Sequence, residues 1–293
     1  MRLVATLALC IAVGLPALAQ RDWSQVEIKA TKVAGTVYML EGAGGNIGIT
    51  VGDDGVVLID DQFAPLAPKI KAAIEAISDK PIRFVMNTHW HGDHTGGNEF
   101  FGEIAPIVSH DNVRIRLAGG MDSPARTVAP APPEALPILT FNDRLTIHLN
   151  GEEVRAIHLP HAHTDGDAVV WFTESNVLHM GDVLFSGLFP YIDIDSGGSV
   201  DGVLSGFDKV IATVPADVKI IPGHGPLSTI DDIRNAKAMI LDCREIVRAA
   251  LAEGKTAEQM KEDRILGKYD SWSWGFINAD RWIDTLVRDL AGK

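Results

Sequence analysis

The stretch Asn87 to Gly97, Asn-Thr-His-Trp-His-Gly-Asp-His-Thr-Gly-Gly, constrains this chain more than any other. His89, His91, Asp93 and His94 directly follow the apolar run Ile82 to Met86, which reads as a buried strand. Imidazole nitrogens and carboxylates are the donors that suit zinc and other borderline first-row divalent metals. Three later segments repeat the design. Pro160 to Asp167 (Pro-His-Ala-His-Thr-Asp-Gly-Asp) lies between two strand patterns, His179-Met180-Gly181-Asp182 ends one, and Pro222-Gly223-His224-Gly225 ends another. Each puts a donor just after an apolar strand, among glycines that let backbones crowd together. A fold for this chain must therefore bring several strand ends to one place. The alternative for the first stretch alone is a polar turn with surface histidines.

The amino terminus reads as a targeting segment. Arg2, the apolar core Leu3 to Leu15 and the Ala17-Leu18-Ala19 site form a secretory signal peptide over residues 1–19, cut after Ala19. The apolar run is too short to span a bilayer, and no later run is long enough. Export to the periplasm or beyond is expected. The remaining chain, 20–293, is expected to form the functional domain. Its net charge, -13 for the whole chain and -14 once Arg2 is lost, gives no attraction to nucleic acid or anionic lipid, so a small-molecule substrate is expected. Cys243 is then the sole cysteine, so no internal disulfide can form; its place in an amphipathic pattern reads as a buried small apolar residue.

Strands are expected at 26–29, 37–40, 46–51 and 56–59, the last two joined at Gly52-Asp53-Asp54-Gly55. The pair Asp60-Asp61 reads as a solvated strand end, with support of a metal ligand as the alternative. Leu66, Ile70, Ile74 and Ile77 mark a helix begun by Pro65 or Pro68. A helix over 95–101, a strand at 107–108 and a helix over 111–117 follow. Five prolines between 124 and 137 exclude a regular element there, and this stretch reads as a surface connection between two halves. The second half has strands at 145–149, 154–158, 168–172, 177–180 and 219–221. Its helices cover about 201–213, Thr229 to Gly254, a short one capped by Thr256 with Gln259, and a last one through Trp282, Ile283, Leu286 and Leu290. Strands then helices, twice, suggest two packed sheets with helices outside.

The order HxHxDH, then His163, Asp182 and Gly-His-Gly resembles the metallo-β-lactamase superfamily across essentially the whole chain after the leader. That resemblance implies an α+β fold, a four-layer αββα sandwich of two mixed β-sheets. It implies one zinc on His89, His91 and His163, a second on Asp93, His94 and His224, and Asp182 bridging the two; Mn2+ or Fe are the alternative metals. It also implies a hydroxide shared by the two ions as nucleophile, with Asp93 and Asp182 as catalytic residues and Asp93 as the proton-handling group. The antibiotic-hydrolysing subclasses carry Cys or Ser where this chain has Asp182. A bridging Asp is similar to the glyoxalase II, lactonase and arylsulfatase-related branches. The function implied is an exported hydrolase of an acyl substrate: ester, lactone, thioester or β-lactam. A β-lactamase proper, an iron-dependent oxidoreductase of the same fold and a non-catalytic metal-binding module are the alternatives.

Weaker expectations attach to other residues. His161 is expected to face solvent or an outer layer. His148, His158 and His179 read as ordinary partly buried strand histidines, and His110 as a helix cap. Thr164 and Asp165 are candidates for supporting His163. Tyr191, Asp193, Asp195 and Asn46 are candidates for lining the substrate cleft. Trp90 reads as packing. Trp272, Trp274 and Phe276 read as packing of the C-terminal region, with a cover over the site as the alternative.

Overall fold

A computed structural model of the chain describes residues 22–122 and 126–292. The expected leader and its cut after Ala19 lie outside them. The strands follow the apolar runs: β1 (Lys29–Ala34), β2 (Val37–Glu41), β3 (Ile47–Gly52), β4 (Gly55–Ile59), β5 (Ile82–Met86), β6 (Ile107–His110), β7 (Met121–Asp122), β8 (Thr127–Val128), β9 (Leu139–Phe141), β10 (Arg144–Leu149), β11 (Glu152–His158), β12 (Ala168–Phe172), β13 (Val177–His179) and β14 (Lys219–Ile221). The helices are α1 (Ala67–Glu75), α2 (Gly92–Thr95), α3 (Asn98–Gly102), α4 (Asp111–Gly119), α5 (Val200–Thr213), α6 (Ile230–Ala252), α7 (Ala257–Glu262) and α8 (Ala279–Ala291).

One sheet runs in the order β1-β2-β3-β4-β5-β6-β9 and a second in the order β10-β11-β12-β13-β14. Both are mixed: β4, β5, β6 and β9 pair in parallel, as do β13 and β14, while the other pairs are antiparallel. The inner faces meet through Met39, Val57, Ile59 and Met86 of the first sheet and Val154, Ala156, Val170 and Phe172 of the second. The outer face of the first sheet packs on α1 and Phe101 of α3. That of the second packs on α5, α6 and α8, with Cys243 buried among them. The layers are therefore α, β, β, α, as the strand-and-helix order implied. None of the described helices is long and apolar enough to cross a membrane.

The local rules account for most boundaries. Pro65 and Pro68 sit in first turns, where a missing N–H costs nothing. Thr229 with Asp232 and Thr256 with Gln259 form capping boxes, and Gly254 leaves α6 at φ +83°. The differences are local. The first strand begins at Lys29 rather than Val26, because Trp23–Gln25 form a 3-10 turn whose carbonyls accept from Lys69 Nζ. The expected helix over 95–101 is split, α2 ending before Gly96-Gly97, whose glycines pass against the backbone of Gln62 and Asp61. In the proline-rich stretch, the two-residue strands β7 and β8 pair with each other, and β9 adds an edge to the first sheet.

Parallel pairing fixes where the donors go. β4 and β5 end on the same edge, and so do β13 and β14. β11 runs with β13, since both are antiparallel to β12. The two sheets are tied at this edge by Ala168 N–H donating to Thr88 O (2.8 Å) and Asn46 N–H to Gly223 O (2.7 Å). The segments that leave those strand ends therefore emerge together, at the kind of edge where sheets with parallel strands carry their sites.

Candidate metal centre

Seven side chains converge at that edge. His89, His91, His163 and Asp182 form one group and Asp93, His94 and His224 another; within each, one donor atom per residue lies within 4.8 Å of the rest. Asp182 faces both. Its Oδ2 lies 3.7 Å from His89 Nε2 and 3.6 Å from His163 Nε2. Its Oδ1 lies 3.0 Å from His94 Nε2 and 3.4 Å from His224 Nε2. The approach depends on missing side chains. A Cβ on Gly223 would stand 2.1 Å from Asp182 Oδ1, and one on Gly45 would stand 2.0 Å from the His94 ring.

Each histidine of the first group is aimed by its outer nitrogen, and the tautomers follow. His91 Nε2–H donates to Asp193 Oδ2 (2.8 Å), and His163 Nδ1–H donates to Tyr191 O (2.7 Å). Thr88 Oγ1 gives its proton to Asp60 Oδ2, so it accepts from His89 Nδ1–H (3.0 Å). The three inner nitrogens are left as lone pairs. His91 Nδ1 and His163 Nε2 lie 2.9 Å apart, and the buried His89 Nε2 has no hydrogen-bond partner. Lone pairs that close repel unless a cation sits among them. Burial pushes the pKa of all three imidazoles below its ordinary value, which keeps them neutral, the form a metal binds.

The second group has the opposite electrostatics. Burial works against charge on His94, yet Asp182, Asp93 and Asp60 hold its pKa well above the ordinary value. Burial likewise opposes His224, and Asp182 and Asp93 raise it to about 9. Asp182 is buried, which would raise it, but His94, His224 and His89 hold it well below the carboxylate range. His94 Nε2 and Asp182 Oδ1, although close, lack hydrogen-bond geometry and count among the buried atoms with no hydrogen-bond partner. Unsatisfied buried donors and acceptors are costly. Three of them aimed at one volume, in a donor set of imidazole and carboxylate, fit a divalent metal.

Asp60 is the hidden member of the site. It is fully buried at φ +62°, a left-handed turn that aspartate tolerates. It accepts from Thr88 N–H (2.8 Å), Thr88 Oγ1 (2.8 Å) and His94 Nδ1–H (2.7 Å). The solvated strand end is thus replaced by the alternative reading of this pair. Asp61, also buried, accepts from Gly97 N–H.

The remaining candidates separate. Tyr191 lines a cavity of about 620 Å³ beside the seven residues, with Asp93, Asp182 and His224. The other three expected there do not line it. Asp193 is turned inward by its own capping of the Ile194–Ser196 turn and holds His91 and Arg126. Asp195 is paired with Arg288. Asn46 is buried, its amide donating to Pro222 O and Gly225 O. Thr164 bonds Asp167, and Asp165 pairs with Arg116 rather than touching His163. His161 is exposed, His110 caps α4, His148 is exposed on its edge strand, and His179 is fully buried against Asn46 O. Trp90 packs as expected, under Arg126. Trp274 and Phe276 do line the cavity, against the packing role expected of them. The alternative, a cover over the site, holds for these two, because the fold brings Trp274 beside His224, while Trp272 packs against the core.

A model of the metallo-beta-lactamase superfamily matches residues 40–236. The chain belongs to the metallo-β-lactamase superfamily. Among superfamily relatives, it is 26% identical to a metallo-beta-lactamase type 2 of Bacteroides fragilis over 57% of this chain and 62% of that one. It is 32% identical to a hydroxyacylglutathione hydrolase of Rhodospirillum rubrum over 54% of each chain. The chain thus spans about half to three-fifths of those relatives' lengths. A solved metallo-beta-lactamase from Pontibacter korlensis matches with a TM-score of 0.60 at 18% identity, covering 73% of this chain and 99% of that one. A sec-alkylsulfatase from Pseudomonas sp. matches with 0.67 at 14% identity, covering 89% and 50%. At such identities the likeness is one of fold.

Proposed function

We propose that this superfamily member is a hydrolase of a carboxylic acyl substrate (ester, lactone, thioester or β-lactam) that works with two zinc ions. His89, His91 and His163 would hold one ion, Asp93, His94 and His224 the other, and Asp182 would serve both. Bound there, the ions would polarise the acyl carbonyl and make water nucleophilic at neutral pH. The observation that carries this reading is the pair of buried donor groups that meet at Asp182, with His89 Nε2, His94 Nε2 and Asp182 Oδ1 left without hydrogen-bond partners between them.

The chain's own groups supply the rest. Asp60, Asp193 and the Tyr191 carbonyl fix the rings of His94, His91 and His163, so little reorganisation is needed when charge develops. Asp93 lines the cavity with its side chain 27% exposed. Burial would raise its pKa, but His94 and His224 bring it below the ordinary value, so it is ionised and orients water through its carboxylate. In the overall step the water oxygen joins the acyl carbon, the bond to the leaving group breaks with its electron pair, and a proton from the water ends on that leaving group.

Metal-analysed protein assayed on nitrocefin, a lactone panel and thioesters tests this. The expected result is about two zinc per chain and turnover that chelator abolishes and zinc restores. Absence of chelator-sensitive turnover on every substrate overturns it. Asp182 in the position shared by the two groups supports lactone or thioester ahead of nitrocefin. Export belongs to the same proposal: protein from a periplasmic fraction should begin at Gln20, and an intact Met1 terminus there overturns that part.

A further inference from the structure

We propose that the cavity takes an uncharged, aryl-bearing carboxylic ester or lactone, and that Trp274 and Phe276 set that preference. This rests on the hydrolase reading above. The cavity's volume, about 620 Å³, is in the usual range for a small-molecule site. On the His224 side its wall is aromatic. Phe185 stacks on the His224 ring at 5.2 Å and 9°, and Trp274 lies 5.5 Å from His224 and 5.7 Å from Phe185. Phe276 continues the wall, 5.7 Å from Trp274 and edge-on to Tyr191 at 5.2 Å. Phe63 also lines the cavity. These are the spacings at which rings pack on rings, so a flat apolar substituent entering beside His224 meets ring faces and edges.

The wall is held in place before anything binds. Trp274 Nε1–H donates to Phe189 O (2.9 Å), Trp274 N–H to Ile277 O (2.9 Å) and Phe189 N–H to Trp272 O (2.8 Å). The Arg281 guanidinium lies 4.0 Å from the Phe276 centroid and donates to Phe276 O (2.8 Å). Phe276 nevertheless stays 46% exposed. A large ring fixed at a cavity mouth and left open to water gains apolar contact when a ligand covers it.

The pairing of Arg126 argues for a neutral ligand. Arg126 is the one arginine or lysine of the described lining, and Asp193 already engages it at 2.9 Å beside His91. Its guanidinium also covers Trp90 at 4.8 Å. A substrate anchored by its own carboxylate would have to compete with Asp193 for Arg126. An alkyl ester that carries an aryl group needs no such partner. Its hydrolysis consumes one water: the water oxygen joins the acyl carbon, the acyl–oxygen bond breaks toward the alkoxide, and the alkoxide takes a proton.

The test uses zinc-loaded full-length protein and four esters: methyl acetate, methyl phenylacetate, benzyl acetate and monomethyl succinate. At least one aryl ester should exceed methyl acetate in kcat/KM by about tenfold or more, with monomethyl succinate no better than methyl acetate. Phe276→Ala and Trp274→Leu should each cut the aryl-to-acetate ratio by roughly three- to tenfold, with zinc content unchanged. Equal rates across the set, preference for monomethyl succinate, or a ratio unmoved in both variants overturns the proposal. A binding arm separates this from failure of the hydrolase reading. Tryptophan fluorescence should report 2-phenylacetamide binding more tightly than acetamide, and the difference should shrink in Phe276→Ala, which keeps Trp274. Aryl binding with no turnover of these esters or of the nitrocefin, lactone and thioester set would sink the hydrolase reading and leave the aromatic site standing; hydrolysis without aryl binding would do the reverse.

Discussion

The two halves of the metal centre draw on the same donor types, imidazole and carboxylate, and solve opposite problems. His89, His91 and His163 are buried, kept neutral by burial, and aimed by outer hydrogen bonds at a shared volume. Asp93, His94 and His224 are held as an internal ion cluster with Asp182, and Asp93 and His224 reach the cavity. Without metal, the first half has repelling lone pairs and gains by taking a cation. The second half is already compensated and must give up protons first. Neutral donors preorganise a site for metal; paired donors keep the same site stable when it is empty.

Breaking the element common to both halves has the largest expected effect. Asp182→Asn removes the charge that faces all four of His89, His94, His163 and His224. Zinc content should fall from about two to one or fewer, and kcat/KM by on the order of 10³-fold. Metal analysis and steady-state kinetics check it; two tightly held zinc ions with near-normal rates would contradict the shared role. The next step separates the halves. Among the seven donors, Asp193→Asn loosens only His91, and Asp60→Asn loosens His94 and, through Thr88, His89. Each should cost about 10–100-fold in zinc affinity. Asp193→Asn should weaken one ion and Asp60→Asn both, as read by competition with a chromophoric chelator. Identical patterns from the two variants would merge what the geometry divides.

The proton difference gives a smaller effect with a definite sign. His224 has its pKa raised to about 9 in the metal-free protein, so below that pH it carries a proton that metal must displace. Uptake at pH 7.5 should release at least one proton per chain, measured calorimetrically in buffers of different ionisation enthalpy. Apparent affinity for the more weakly held ion should rise about tenfold per pH unit per proton up to about pH 9, then level off. Proton-free uptake would mean that the second half is neutral when empty.

Much of this was legible along the chain, for reasons that differ by residue. The donors follow apolar runs, and a run that ends a buried strand must deliver its next residues to the sheet edge; His89, Asp182 and His224 obey that rule. Residue type carries donor chemistry, but His161 and His179 offer it as well; it is the resemblance to the superfamily that selects the seven. Direction could not be read along the chain. Asp193 and Tyr191 stand on one loop, yet Tyr191 faces the cavity and Asp193 faces His91, because the turn over Ile194–Ser196 folds the carboxylate inward. Asp60 carries the same ambiguity, decided by a single left-handed backbone angle. Trp274 and Phe276 carry no local sign of a site, because their neighbours Phe185, Tyr191 and His224 lie about 50–90 residues away in sequence. The register of edge elements such as β1 and β9 was equally open, since short half-exposed strands leave a weak apolar pattern.

The smallest predicted effect tests whether the first half owes its rigidity to groups beyond its outer hydrogen bonds. Arg116 on α4 makes a bidentate pair with Asp165, Nε to Oδ1 and Nη2 to Oδ2, both at 2.7 Å. Asp165 lies two residues past His163, and the same guanidinium stands 5.9 Å from the ring of Trp90, between His89 and His91. One side chain thus braces the His163 loop and, through Trp90, the segment that carries His89 and His91. Both partners are about one-fifth exposed, so solvent screens the pair, and Arg116→Ala should cost about 0.5–1.5 kcal/mol by denaturant melt. Arg116→Lys keeps the charge but loses the planar fork, and should recover less than half of that. Zinc content at saturating metal should stay at the wild-type level in both variants, because the donors keep their own anchors on Tyr191 O and Asp193. If Arg116→Ala instead weakens zinc binding as much as Asp193→Asn does, the neutral half is held by its surroundings and not by the hydrogen bonds on its rings.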